Sequence, residues 1–193
     1  MNNKMRKAAF TLNTDVCKPY DLYNHLPYRV AVASNLLAID RDAAIKQLTD
    51  LETREIRVLL NIGSYGPINA ADIAYQSRLD PYSVNRAINC LLKLNYVAEA
   101  KKVINQKIKR VELTELGVSV YQKVTIHLEK RTERLTANLT HEEQATLLVL
   151  LEKLELQAEQ VLAETASAIE AKGQAITRDQ KEVIRWFKRT SAN

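Results

Sequence analysis

Glycine, proline and cysteine are scarce in this sequence. Four glycines and four prolines in 193 residues leave few punctuation points, and long periodic segments dominate, so a mostly helical protein is expected. Cys17 and Cys90 are the only cysteines, which argues against a secreted domain stapled by disulfides. Hydrophobic runs are short. No stretch approaches the roughly 18 apolar residues of a membrane span. Lys4, Arg6 and Lys7 look like the start of a signal peptide, but the apolar run Ala8-Ala9-Phe10 is too short for one, so a reducing cytoplasm is the expected setting. Neither a Ser-His-Asp spacing, a phosphate loop nor a paired-carboxylate motif stands out, and His25, His127 and His141 are too scattered for a metal site. An enzyme is not expected, nor any metal or cofactor. Net charge is only +5, with a pI of about 9.1, which suits a local basic surface and not a disordered polycation.

What is present concentrates between residues 67 and 114. This stretch reads as two short helices, a turn, and two strands joined by a basic tip. Asp80 can cap the second of these helices, and Pro81 fits its first position. Val84, Ala87, Ile88, Leu91 and Leu92 fall at i, i+3, i+4, i+7 and i+8 and make one apolar face. The opposite face carries Tyr82, Arg86, Asn89 and Lys93, flanked by Ser83 and Asn85. A buried helix would not hold so many hydrogen-bonding groups, whereas a helix entering a DNA major groove needs them. Pro81, Tyr82, Ser83, Asn85, Arg86, Asn89 and Lys93 are therefore the expected DNA-facing set. Tyr96 to Val103 and Lys109 to Leu113 partly alternate apolar and polar residues, as a hairpin with one packed face does. Its tip holds five basic residues, Lys101, Lys102, Lys107, Lys109 and Arg110, with no acidic residue among them. A long hairpin with a cationic tip beside a helix-turn-helix is the plan of a winged helix, and these five are expected to meet phosphates.

Helical periodicity begins near Tyr20, and Pro27 either kinks that helix or marks its start. Thr49 and Glu52 match a capping box opening the next helix, which Gly63 and Gly66-Pro67 end. Ile68 can add a short strand to the wing sheet, and Asn69 can cap the helix before the turn at Arg78-Leu79. After the wing, Thr114 can cap a helix reaching Thr136. Thr140 and Glu143 form a second capping box that opens a final long helix. On it Leu147, Leu151, Leu154, Ala158 and Val161 alternate spacings of four and three, a seam that wants another helix. Leu148, Val149, Leu150 and Leu156 lie outside the seam, so a dimer is favoured. Beyond residue 162, Ile176, Val183, Ile184 and Phe187 share a helical face bordered by Arg178, Lys181, Arg185, Lys188 and Arg189. That segment reads as a last packing helix or as a basic patch reaching DNA or a membrane surface.

The ordered set resembles the multiple-antibiotic-resistance regulator (MarR) family of bacterial transcription factors. The resemblance rests on Leu48-Thr49, on Asp72-Ile73-Ala74 and above all on Asp80 to Ile88. Leu94 to Val97 and Val111 to Gly117 extend it, and it covers roughly residues 22 to 162. It implies a mainly α (α+β) winged helix-turn-helix at about 48–114. Dimerisation helices would flank it at about 21–47 and 114–162. Composition gives a flexible basic arm (1–20) before this domain (21–162), and a helical C-terminal extension (163–193), unusual for the family, is read after it. The resemblance further implies a homodimer reading double-stranded DNA at a near-palindromic operator, as a ligand-responsive repressor. The family's Asp-x-Arg wing motif corresponds here to Asn105 and Lys107. Lysine lacks the planar guanidinium fork, so backbone contact is the expectation for this wing.

Alternatives remain at individual residues. Arg86 is a DNA contact or an exposed Arg paired with a carboxylate; Ser83 and Asn85 are base contacts or local caps. Tyr20, Tyr23, His25, Tyr28 and Arg29 cluster where the family binds small aromatic ligands, or else they pack the dimer. Cys17, beside Lys18, is the better candidate for a redox sensor, with Cys90 a quiet thiol. For the whole chain the rivals are an architectural DNA binder without an effector and a protein-interaction module that no longer binds DNA.

Overall fold

The structure, a computed structural model, describes residues 11–38, 45–100 and 108–192. It divides into two compact units, Met1–Gln47 and Leu48–Asn193. The first unit contributes α1, Leu26–Ala38, none of whose residues is buried. Pro27 is its second residue, where a missing N–H costs nothing, so the proline marks the true start of the helix rather than a kink.

The second unit runs in the order α2 (Thr53–Tyr65), α3 (Ala70–Ser77), α4 (Pro81–Lys93), β1 (Val97–Glu99), β2 (Val111–Leu113), α5 (Glu115–Thr136), α6 (His141–Ala171) and α7 (Arg178–Thr190). β1 and β2 pair antiparallel with Val97 opposite Leu113 and Glu99 opposite Val111. Ile68 adds a third rung as expected: its N–H donates to the Val111 carbonyl at 3.1 Å, and the Val111 N–H returns to Ile68 at 2.9 Å. The core of the winged lobe is built from Ile56, Val58, Leu59 and Ile62 of α2 together with Ile73 of α3 and Val84, Ala87, Ile88 and Leu91 of α4. Val97, Val111, Val120 and Val124 close it from the sheet and α5. Leu92, read as part of the apolar face, is only half-buried.

Two readings of the local sequence are corrected here. The cap of α2 is Glu52, not Thr49. The Glu52 N–H donates to the Glu55 carboxylate at 3.1 Å, while the Thr49 hydroxyl accepts from the Leu51 N–H at 3.4 Å in a buried turn. Gly63 does not end α2 but lies inside it. A Cβ there would collide with the ring of Tyr121, so the glycine lets α5 approach. Gly117 serves the same purpose at the start of α5, where a Cβ would strike the Tyr96 carbonyl.

Candidate nucleic-acid interface

The surface in question begins with how α4 is held. Asp80 caps it, its carboxylate accepting from the Ser83 N–H at 2.9 Å, and Pro81 occupies the first turn. Hydrogen bonding from Ser83, first from its side chain and then from its backbone, holds the Asp80 carboxyl below its ordinary value of 3.8; Arg178 adds a smaller attraction. With Val84, Ala87, Ile88 and Leu91 buried, rotation of the helix is fixed. Tyr82, Asn85, Arg86, Asn89 and Lys93 are then all exposed along the other side. Among the described residues no carboxylate pairs with Arg86. Its guanidinium lies 5.9 Å from the Tyr82 ring centre, within cation–π range. Asn85 is turned inward on its own helix, its amide donating to the Pro81 carbonyl at 2.8 Å. Ser83 is likewise engaged with Asp80.

The wing is described only at its base. Lys101, Lys102 and Lys107 lie outside the described residues, as does Asn105. Lys109 is exposed and pairs with Glu99 across the sheet at 2.9 Å, which raises its pKa. Arg110 is half-buried and donates to the Pro67 carbonyl at 3.3 Å. So the two basic residues at the base have partners within the lobe. The exposed ion pair of Lys109 holds it only weakly.

No family model and no curated protein matches this sequence. Solved structures do match. A MarR/EmrR family transcriptional regulator from Acinetobacter sp. ADP1 superposes with a TM-score of 0.66 at 20% identity, over 73% of this chain and 99% of that one. The chain has the MarR winged-helix fold. FabT from Streptococcus pneumoniae, solved in complex with DNA, shares the MarR fold at a TM-score of 0.59 and 14% identity, over 72% and 99% of the two chains. PcaV from Streptomyces coelicolor, solved with its natural ligand, matches at 0.58 and 13%, over 72% and 96%.

A last packing helix is one reading of the C-terminal sequence; where that helix docks is not legible there. α7 packs along the C-terminal part of α6 and reaches the helix-turn-helix. Arg78, in the left-handed region at φ 51°, ends α3 and sends its guanidinium to the Tyr75 carbonyl and to the buried Glu159 of α6. Glu159 also accepts from the Thr190 hydroxyl at 2.7 Å, and Thr190 meets the Tyr75 hydroxyl at 2.8 Å. Arg189 pairs with Asp72 at 2.8 Å, and Trp186 lies 5.6 Å from the Arg78 guanidinium. A glutamate amid helix-forming residues looks solvated in the sequence. Only the alanines at 163 and 166, four and seven residues on, mark the contact face in the sequence, and both are buried in the structure.

In the first unit, Tyr20, Tyr23, Tyr28 and Arg29 do come together. With Leu12, Val32 and neighbouring residues they line a cavity of about 620 Å³. The Arg29 guanidinium stacks 4.4 Å from the Tyr23 ring centre. His25 is not in the lining; its ring meets Tyr20 edge-on at 4.9 Å, and its Nδ1 accepts from the Tyr28 N–H at 3.3 Å. Cys17 is exposed and Cys90 half-buried.

Proposed function

We propose that this protein is a sequence-specific DNA-binding transcription regulator that works as a homodimer and releases its operator when an aromatic acid binds. The observation that carries the reading is α4. One face of this helix is locked into the core, and the other presents Arg86, Asn89 and Lys93, with no carboxylate partner for Arg86 among the described residues. An Arg there can bond bidentately to guanine, and Asn89 can do the same to adenine. Tyr82 and the wing lysines 101, 102, 107 and 109 supply contacts beside the groove, Lys109 by exchanging its exposed bond to Glu99 for a phosphate. Asn85 and Ser83 serve the helix itself. The likeness in fold to FabT, solved with DNA, supports the reading.

The cavity around Tyr20, Tyr23 and Tyr28 would hold the effector. Aromatic walls favour stacking, and Arg29 offers a charge for a carboxylate. PcaV, also alike in fold, was solved with its natural ligand. Such a ligand lowers operator affinity only by its preference for the DNA-free form.

The test is a titration of duplexes from the gene's own upstream region with wild type and Arg86→Ala, followed by salicylate. Arg86→Ala should lose about 1–3 kcal/mol of specific affinity and keep its circular dichroism. Unchanged affinity in the folded variant would remove α4 from base reading. Salicylate at millimolar concentration should weaken binding by wild type and less so by Arg29→Ala.

A further inference from the structure

The C-terminal helix is the most basic part of the described chain. Residues 172–193 hold six Lys or Arg and two Asp or Glu, which accounts for four of the five net positive charges of the whole sequence. Resting on the DNA-binding reading above, we propose that α7 continues the DNA surface, with Arg178 and Lys181 taking backbone phosphates that flank the groove entered by α4.

Three observations place it there. First, α7 is docked and not tethered: Arg189 on Asp72 and Thr190 on Tyr75 fix its far end to α3. In a helix-turn-helix the first helix crosses the DNA backbone while the second enters the groove. Second, its near end reaches the recognition helix. The Arg178 guanidinium stands 6.0 Å from the centre of the exposed Tyr82 ring, which Arg86 approaches at 5.9 Å. One ring thus links a cation of α4 to a cation of α7. Third, Arg178, Lys181, Arg185 and Lys188 recur at spacings of three, four and three, a single exposed stripe. At a rise of about 1.5 Å per residue the stripe spans roughly 15 Å of α7, starting at the end that meets Tyr82. Like charges gathered this way repel one another, and a duplex with one phosphate charge per about 1.7 Å of axis relieves that repulsion.

The acidic groups nearby do not cancel the stripe. Asp80 caps α4, and its attraction to Arg178 is the last of the causes acting on it. Asp179 is one exposed carboxylate among the five Lys and Arg of α7, and Glu182 is buried against Arg185 at 2.7 Å. That pairing makes Arg178 and Lys181 the principal contacts. A membrane surface is the poorer partner. An amphipathic helix enters lipid by its apolar face, and here Val183, Ile184, Trp186 and Phe187 are already half-buried within the lobe.

The experiment measures affinity of the full chain for a labelled random-sequence duplex across a salt series. The double variant Arg178→Ala/Lys181→Ala is compared with wild type and with Lys130→Ala/Arg134→Ala, which lies on the exposed side of α5. Loss of two phosphate contacts should flatten the plot of log K against log salt by about 2 per engaged lobe. The α5 variant should match wild type. A wild type that binds with a slope the α7 variant leaves unchanged overturns the proposal alone. A wild type that binds no duplex overturns the DNA-binding reading and this one with it. Binding to phosphatidylserine vesicles that the α7 substitutions abolish, with the DNA slope unmoved, would assign the stripe to lipid and equally overturn it.

Discussion

Asp80 shows how a single side chain can set both a helix boundary and an interface. Its carboxylate takes the Ser83 N–H that α4 leaves without an intrahelical partner, so the helix begins there and Tyr82 and Arg86 emerge at a fixed angle. Replacing Asp80 with Ala should cost about 1 kcal/mol of stability, read by urea denaturation at neutral pH. The pH dependence has a definite sign. The folded-state pKa lies below the ordinary 3.8, so the stabilisation is fully present above that value and fades as pH falls through the folded pKa. The gap between wild type and variant should therefore close in acid. A gap that persisted in acid strong enough to protonate the carboxylate in the folded protein would mean that the carboxylate is not what stabilises the helix start. Asn85 obeys the same logic with the opposite outcome for function. Its amide is engaged with Pro81, and it contributes to α4 before it contributes to any base contact.

At the scale of elements, what was legible in the sequence was what local chemistry decides. The caps at Asn69, Asp80, Thr114 and Thr140 are each a side chain and an N–H three residues away, so spacing alone exposes them. The polar face of α4 follows from period. Gly63 was misread because a glycine that makes room for Tyr121 looks the same in sequence as one that ends a helix. The cap of α2 was placed three residues early because Thr49 and Glu52 satisfy the same spacing that Glu52 and Glu55 fulfil. The docking of α7 was out of reach because it depends on Glu159, 31 residues before Thr190 and 81 after Arg78. That junction yields a prediction of its own. Glu159 is buried while Arg78 is part-exposed, so Glu159→Ala strands an arginine that can still reach water. The expected loss is about 2 kcal/mol, with protease cleavage appearing first between α6 and α7. A variant as stable and as resistant as wild type would show that apolar packing alone holds α7.

For the whole molecule the unresolved question is what covers α6. Its N-terminal half leaves Leu147, Leu148, Val149, Leu150 and Leu156 between 45% and 68% exposed, while Leu151 and Leu154 are half-buried. Covering each of these side chains contributes on the order of 1 kcal/mol. A monomer would leave that face in water. α7 does not supply the cover, since these side chains stay exposed with α7 docked near Glu159. A second copy can, and a two-fold partner brings the same seam to the same seam. DNA reading makes a matching demand, because two lobes must stand roughly 34–36 Å apart to enter successive major grooves. Sedimentation of wild type at micromolar concentration should give a dimer. Leu151→Asp would place an unpaired charge in the seam and should give either a folded monomer or an insoluble chain. If the variant is monomeric, it should keep the slow-exchanging amides of the winged lobe, whose core at Val84, Leu91 and Val97 lies outside the seam. If the operator is the near-palindrome expected above, affinity for it should fall by far more than stability, because one lobe then reaches only one half-site. A wild-type monomer would overturn the dimer itself, and a Leu151→Asp dimer of unchanged strength would move the assembly surface off α6.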